Sequence, residues 1–155
     1  MKNVLYLIVF TLISFTSMGA VIDFSGTWNL NKSKSTLNDQ FSMAPSKMIL
    51  AQTAEVLEME KHGSFQEQDF TTNEKFTLDG KASINKGWQD SEKSSTIVWS
   101  EDGKMMTITS KIPMQDGGEM VITEAYQMDG DLLKVVMNAS SSFGDLSETQ
   151  FFDKQ

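Results

Sequence analysis

The chain has 155 residues, a formal net charge of -8 at pH 7 and no cysteine, and 39% of its residues are hydrophobic. It contains no arginine, so it lacks the planar guanidinium that holds a phosphate or carboxylate through two parallel hydrogen bonds. The acidic composition argues against nucleic-acid binding, which depends on clustered cations. One histidine without cysteine cannot build the usual zinc sites, and we predict neither a metal nor another cofactor.

The N-terminus has the three-part layout of a secretory signal peptide. Lys2 precedes an apolar run, residues 4–13, which is followed by small residues at Ser17, Gly19 and Ala20. The run is shorter than the about 20 apolar residues that a membrane-spanning helix needs. We therefore expect cleavage near Gly19 or Ala20 and an exported product, periplasmic or secreted, that does not span a membrane.

Residues 1–20 are thus assigned to the signal peptide, and residues 21–155 are predicted to form one domain, because their length suits a single hydrophobic core. The absence of disulfides is ordinary for a bacterial exported protein whose core is large enough to fold without them.

Short strand-like runs follow in the first half of this domain. The candidates are "TWNL", "KMILAQ", "VLEMEKH", a polar "FQEQDF" and "EKFTL". Residues 31–47 are polar and long for a hairpin loop, and we expect them to cross between the first two strands with a short helical turn. A second polar loop, residues 85–93, carries Trp88. Long loops in compact domains are often functional or mobile.

The second half alternates apolar and polar residues as half-buried strands do. Its candidates are "SSTIVWS", "KMMTITSKI", "EMVITEAYQM", "DLLKVVMN" and "ETQFF". Asp-Gly pairs, the strongest short-range hairpin signal, lie at 79–80, 102–103, 116–117 and 129–130. Consecutive hairpins leave two exposed sheet edges, and pairing the last strand with the first removes them. The pattern therefore predicts an all-β fold, an up-and-down antiparallel β-barrel of about eight to ten strands.

The stretch "DFSGTWNLNKSKS", residues 23–35, holds a Gly-x-Trp formed by Gly26 and Trp28. With the later phrases "FTLDGK" and "EDGKMMTI", it resembles the lipocalin-like secreted bacterial proteins of the calycin superfamily. The resemblance implies a ligand-binding barrel whose first strand bends at Gly26 and whose floor is plugged by the Trp28 indole. It also implies a basic residue, usually Arg, packed across that indole; here Lys154 is available instead.

The apolar strand faces are expected to line the barrel interior and to hold a small, mostly apolar, neutral or cationic molecule. The predicted ligand-binding residues are Phe76, Ile97, Trp99, Met106, Ile108, Glu124, Tyr126 and Val135. The many methionines on these strands are consistent with two states, a core that they fill or a cavity that they line.

Glu124 shares one strand face with Ile122 and Tyr126. If that face points inward, the carboxylate must be paired or its pKa raised, because an isolated buried charge is costly. If Val121 and Thr123 point inward instead, Glu124 is solvated. The pattern leaves both orientations open.

Three functions remain in view. The first is a non-enzymatic, exported protein that binds a small hydrophobic molecule inside the barrel. The alternative is a protein-interaction or inhibitor module that uses loops 31–47 and 85–93, with Trp88 as a contact residue and no internal ligand. An enzyme with Glu124 as general acid or base and Tyr126 as donor is third, because no second catalytic group is evident.

Overall fold

A computed structural model describes residues 21–65, 68–87 and 91–155. The strands are β1 (Gly26–Leu30), β2 (Lys47–Gln52), β3 (Val56–Phe65), β4 (Gln68–Thr77), β5 (Ser83–Lys86), β6 (Glu92–Trp99), β7 (Met105–Pro113), β8 (Glu119–Asp129), β9 (Leu132–Ser141) and β10 (Gly144–Lys154). The predicted signal peptide and Trp88 lie outside the described residues. Within those residues, no helix has the length and apolar character needed to cross a membrane.

All ten strands belong to one antiparallel sheet with the order β4-β3-β2-β1-β10-β9-β8-β7-β6-β5. The first and last strands are paired, with Trp28 opposite Lys154 and Leu30 opposite Phe152. The sheet curls into a nearly closed barrel, because its two end strands, β4 and β5, come together. The predicted all-β, up-and-down barrel is confirmed.

The four Asp-Gly pairs lie where the sequence predicted turns, each at the connection of two consecutive strands, and Asp129 is also the last residue of β8. Their glycines have positive φ angles of 78°, 68°, 81° and 62°, at Gly80, Gly103, Gly117 and Gly130. This left-handed region is easily reached by glycine and disfavoured for other residues.

The strand prediction was wrong in two places. "FQEQDF" is not a separate strand, because Phe65 ends β3 and pairs with Gln68 at the start of β4. β5 was missed and takes up the first residues of the predicted 85–93 loop. Its sequence, "SINK", shows no hydrophobic alternation, since its one apolar side chain, Ile84, points to solvent. In the segment after β1, the N–H groups of Lys34 and Ser35 bond to Asn31 O and close a single turn.

β4 and β5 are joined by side chains, since no backbone ladder pairs them in the described part of the chain. Asn85 Oδ1 accepts from the Lys75 N–H at 2.9 Å, and Asn85 Nδ2 donates to Lys75 O at 3.0 Å. The Thr77 N–H donates to Ser83 Oγ at 2.9 Å. The barrel therefore has one seam that is closed by side-chain hydrogen bonds.

The inward side chains form two hydrophobic clusters at opposite ends of the barrel. The floor cluster contains Phe24, Trp28, Met48, Leu50, Leu57, Met59, Phe76, Ile97, Met106, Ile108, Tyr126, Leu133, Val135 and Phe152. The upper cluster contains Ile112, Ile122, Met137 and Ala139, with Met43, Met120 and Leu146 half-buried against it. The upper cluster is smaller than the floor cluster and contains no aromatic side chain. Three of its seven side chains are only half-buried.

The floor is organised around Trp28, whose Nε1 donates to Phe24 O at 2.9 Å. Lys154 Nζ lies 5.2 Å from the centre of the indole ring, within cation–π range. Gly26 has a φ of 145°, and a Cβ there would come within 2.8 Å of Lys154 Cε. The Gly-x-Trp thus gives the lysine stem room to reach the indole.

Replacing Gly26 with Ala is expected to destabilise the fold by about 1–3 kcal/mol, because it adds backbone strain and displaces Lys154. Urea unfolding followed by tryptophan fluorescence measures the change in free energy. Gly117→Ala is the matched control, since Gly117 also has a positive φ but a Cβ added there would meet nothing within 4 Å. Equal losses in the two variants would show that the contact with Lys154 is unimportant.

Candidate ligand-binding site

Six of the predicted ligand-binding residues belong to the floor cluster. They are Phe76, Ile97, Met106, Ile108, Tyr126 and Val135, each at most 2% exposed. Trp99 is half-buried against this cluster and stacks on Phe24 with ring centres 6.0 Å apart. Glu124 points inward and lies one inward position above Tyr126 on β8. The predicted set is therefore brought together inside the barrel, with Glu124 at its upper boundary.

A polar layer separates the two hydrophobic clusters. We define it by Lys61 on β3, Glu74 on β4, Lys93 on β6, and Glu124 and Tyr126 on β8. Lys61 Nζ donates to Glu124 Oε1 at 2.6 Å, and the Tyr126 hydroxyl donates to the same oxygen at 3.1 Å. In the strand order, β8 is five positions from β3 in a barrel of ten strands, so the two strands lie on opposite sides of the wall. The Lys61–Glu124 pair therefore crosses the barrel interior.

Burial and pairing act in opposite directions on these two charges. Burial alone would raise the pKa of Glu124, but the ammonium groups of Lys61 and Lys93 and the hydrogen bonds to the carboxylate lower it overall. Burial would lower the pKa of Lys61, yet the Glu124 carboxylate raises it well above its ordinary value. Both groups are therefore charged near neutral pH, and each requires the other.

Tyr126 is held in its neutral form. Burial first, and then the neighbouring Glu124 charge, raise the pKa of its phenol far above the ordinary value. Its hydroxyl is 3.7 Å from Met59 Sδ as well as within hydrogen-bond distance of Glu124. The phenol is thus a fixed donor at the top of the floor cluster.

The second ion pair of the layer joins Lys93 Nζ to Glu74 Oε1 at 2.5 Å. Their side chains are 12% and 4% exposed, so the pair is almost fully buried. Apart from Lys93, this Oε1 has no polar partner among the residues described. Because an ionised carboxylate has about four lone-pair sites, Glu74 can accept one more donor, which the chain does not itself supply, while it stays paired with Lys93.

The segment between β1 and β2, residues 31–46, is attached to the barrel beside the upper cluster. Thr36 forms a bridge with Thr149, and the Asn38 N–H donates to the buried Glu148 Oε1 at 2.9 Å. Glu148 Oε2 accepts from Gln150 Nε2 at 2.9 Å. Met43 packs against the upper cluster. The segment therefore contributes to the cover of the upper end.

Two prominent grooves, of about 360 and 420 Å³, open to solvent on the wall of the barrel. One crosses β2, β3 and β4 and is lined by outward residues such as Ala51 and Asn73. The other crosses β8, β9 and β10 near Thr123 and Asn138. Neither coincides with the polar layer as a whole, although Glu74 reaches the edge of the first.

Sequence reasoning missed Lys61, Glu74 and Lys93. A signal was present, because Lys61 and Glu74 each lie two residues from an inward apolar side chain, Met59 and Phe76. Lys93 lies two residues from the inward Ser95 and four from Ile97, so it also shares the inward face of its strand. The sequence does not predict which carboxylate each lysine pairs with, since partners such as Lys61 and Glu124 are far apart in the chain.

Removing one partner of the Lys61–Glu124 pair is expected to cost about 3–5 kcal/mol, because the other charge is left buried and unpaired. The variants Lys61→Met and Glu124→Leu should each show this loss in urea unfolding. The double variant should lose much less than the sum of the two, since it leaves no unpaired charge. Additive losses would contradict a coupled pair.

The pair also predicts an acid-dependent loss of stability. The pKa of Glu124 is lowered in the folded state from its ordinary value of 4.5, so the unfolded chain binds the proton more readily. The stabilisation is complete above pH 4.5 and is lost as the pH falls through the folded-state pKa.

Free energies of unfolding measured across this acid range should fall more steeply for the native chain than for Glu124→Gln. Other carboxyls with lowered pKa values, such as Asp79 and Asp116, are present in both proteins, so the difference between the curves isolates Glu124. Parallel curves would show that its ionisation is not linked to folding.

No protein-family model matches the chain, and no curated protein matches it. Among solved structures, it is similar to the crystal structure of zebrafish ileal bile acid-binding protein complexed with cholic acid. The TM-score is 0.56 at 13% sequence identity, and the match covers 85% of this chain and 98% of that one. The similarity shows that the chain has a calycin-like barrel fold.

Proposed function

We propose that this protein is an exported, non-enzymatic binding protein that holds a small, mostly apolar, neutral or cationic molecule inside its barrel. The observation that carries the proposal is the polar layer, a set of buried charges and one hydroxyl between two apolar clusters. A few polar groups converging in an apolar interior are typical of small-molecule sites. A barrel that needed only a stable core would be better served by apolar side chains there, because buried ion pairs contribute little net stability.

The charge balance of the layer favours a ligand without a carboxylate. Lys61 is paired with Glu124, and Lys93 with Glu74. An anionic ligand would have to displace one of these carboxylates from its lysine, whereas a hydroxyl or amine can donate to Glu74 Oε1 without breaking either pair. The predicted residues below the layer, Phe76 and Ile108 among them, then contact the apolar body of the ligand.

The upper cluster supplies the adaptable part of the proposed site. The inward side chains pack into two clusters, and a ligand enters between them by displacing some of these side chains. Met43, Met120 and Met137 are the best suited to move, because methionine is unbranched and repacks at low cost. The floor around Trp28 stays in place.

The structural neighbour supports a small organic molecule as the ligand of a barrel with this fold. That structure is a complex with cholic acid, a rigid, mostly apolar molecule with hydroxyl groups and one carboxylate. For this chain we propose only the general class of ligand, a rigid and mostly apolar molecule with hydroxyl groups. The paired lysines of this chain direct the preference toward the hydroxyl-bearing, uncharged members of that class.

An enzymatic role for Glu124 is disfavoured by its environment. A general acid or base works best with a pKa near the operating pH. The pKa of Glu124 is instead lowered, and its Oε1 already accepts hydrogen bonds from Lys61 and Tyr126. Glu124 instead holds Lys61 and Tyr126 in position within the polar layer.

A protein-interaction role is the second candidate, supported by exposed aromatic residues at the upper end. Phe143 in the β9–β10 turn is 81% exposed, and Phe41 in the 31–46 segment is 48% exposed. Large exposed aromatics are common in contact surfaces. This role predicts a partner whose binding is lost in Phe143→Ser while the barrel interior binds nothing.

Purified protein titrated with a neutral apolar fluorescent probe, N-phenylnaphthylamine, should show saturable energy transfer from tryptophan. Competition should then rank a steroid alcohol at least about tenfold above the steroid carboxylic acid of the same skeleton, a difference of about 1.4 kcal/mol. Trp99→Phe should reduce the transfer without abolishing binding, because Trp99 is a reporter at the edge of the site.

Glu74→Gln should weaken the steroid alcohol about tenfold, since the amide is a poorer acceptor and no longer pairs with Lys93. Glu58→Gln is the control, because Glu58 lies on the outer face of the neighbouring strand and pairs with Lys75. Equal effects of the two variants, or no saturable probe binding at all, would refute an interior site.

A further inference from the structure

The upper part of β4 is exposed to an extent that the rest of the barrel wall is not. Residues 68–73 are all exposed, on both faces of the strand. β3 pairs with this whole length, from Phe65 opposite Gln68 to Val56 opposite Thr77. On the other side, the side-chain contacts with β5 begin at Lys75 and continue to Thr77. Among the described residues, the edge from Asp69 to Asn73 has no backbone partner.

The contacts at Lys75 fix which backbone groups this edge presents. Both the N–H and the C=O of Lys75 bond to Asn85, so both point away from β3. The β3–β4 register is continuous, and in an antiparallel strand these directions repeat every second residue. The N–H and C=O groups of Asp69, Thr71 and Asn73 therefore point out of the open edge.

We propose that two copies of this chain pair through this edge, as an antiparallel β4–β4 contact centred on Thr71. Thr71 lies opposite its own copy, and Asp69 lies opposite Asn73 on either side, which gives about six backbone hydrogen bonds. The contact is isologous, as expected for a two-fold dimer. It turns an exposed sheet edge, which proteins rarely leave bare, into an interface.

The side chains favour this register over its neighbours. Asp69 faces Asn73 on both sides of the centre, so each of these carboxylates meets an amide that can donate to it. A contact centred on Asp69 would set two aspartates against each other. A contact centred on Asn73 would need the backbone of Lys75, which already bonds to Asn85.

This inference is independent of the proposed ligand site. Asp69, Thr71 and Asn73 share the outward face with Lys75, opposite to the inward Glu74 and Phe76. The interface therefore leaves the polar layer unchanged, and either proposal can fail without the other.

The chain has no native cysteine, so a single introduced thiol reports the contact directly. In a hydrogen-bonded antiparallel pair the Cα atoms lie about 5.5 Å apart, within the range of about 4.4–6.8 Å that a disulfide spans. Thr71→Cys should form a disulfide-linked dimer under mild oxidation. Ser140→Cys is the matched control, because Ser140 is also exposed but its strand is paired on both sides, with Val121 and Asp145.

Sedimentation over a concentration series tests the contact without cross-linking. The native chain should approach twice the monomer mass at high concentration, and Thr71→Pro should remain monomeric. Proline removes the N–H that points out of the edge and leaves the β3 ladder intact. A native chain that stays monomeric, a Thr71→Pro variant that still dimerises, or equal cross-linking of the Thr71→Cys and Ser140→Cys variants would overturn the proposal.

Discussion

The interior of this barrel depends on the ion pair between Lys61 and Glu124. The two residues come from opposite sides of the wall, and each is buried enough that its charge is tolerable only beside the other. Tyr126 then has a fixed acceptor, and the second pair, Lys93 with Glu74, lies in the same layer. One constraint thus sets the positions of charged side chains on β3 and β8 and separates the interior into an apolar floor and an apolar upper end.

The two ends have different physical characters, and this difference gives the barrel a direction. The floor is aromatic, fully buried and held by the Trp28 indole between Phe24 and Lys154. The upper end is rich in methionine, includes half-buried side chains and is covered in part by a segment attached through Thr36 and Asn38. A rigid base beneath a deformable cover suits a site that closes around a small molecule.

The sequence predicted the architecture well because its signals are local. Alternation placed Met106, Ile108 and Val135 inward, and the Asp-Gly pairs placed four turns. β5 was missed because its four residues carry no alternation, and its role is to supply Asn85 and Ser83 to the seam. The inward direction of Glu124 was left open, since either face of its strand is plausible on pattern alone. The partner that decides it, Lys61, is 63 positions away, and no local pattern encodes that contact.

The proposed function requires that a neutral, mostly apolar molecule binds inside the barrel above the floor. The most direct measurement is the nuclear magnetic resonance of labelled methionine methyl groups during titration with a neutral steroid alcohol. Met120 and Met137 lie in the upper cluster, whereas Met105 is on the outer face. We expect saturable shifts at Met120 and Met137 with Met105 unchanged. Shifts confined to Met105, or no saturable shift at any methionine, would contradict the claim.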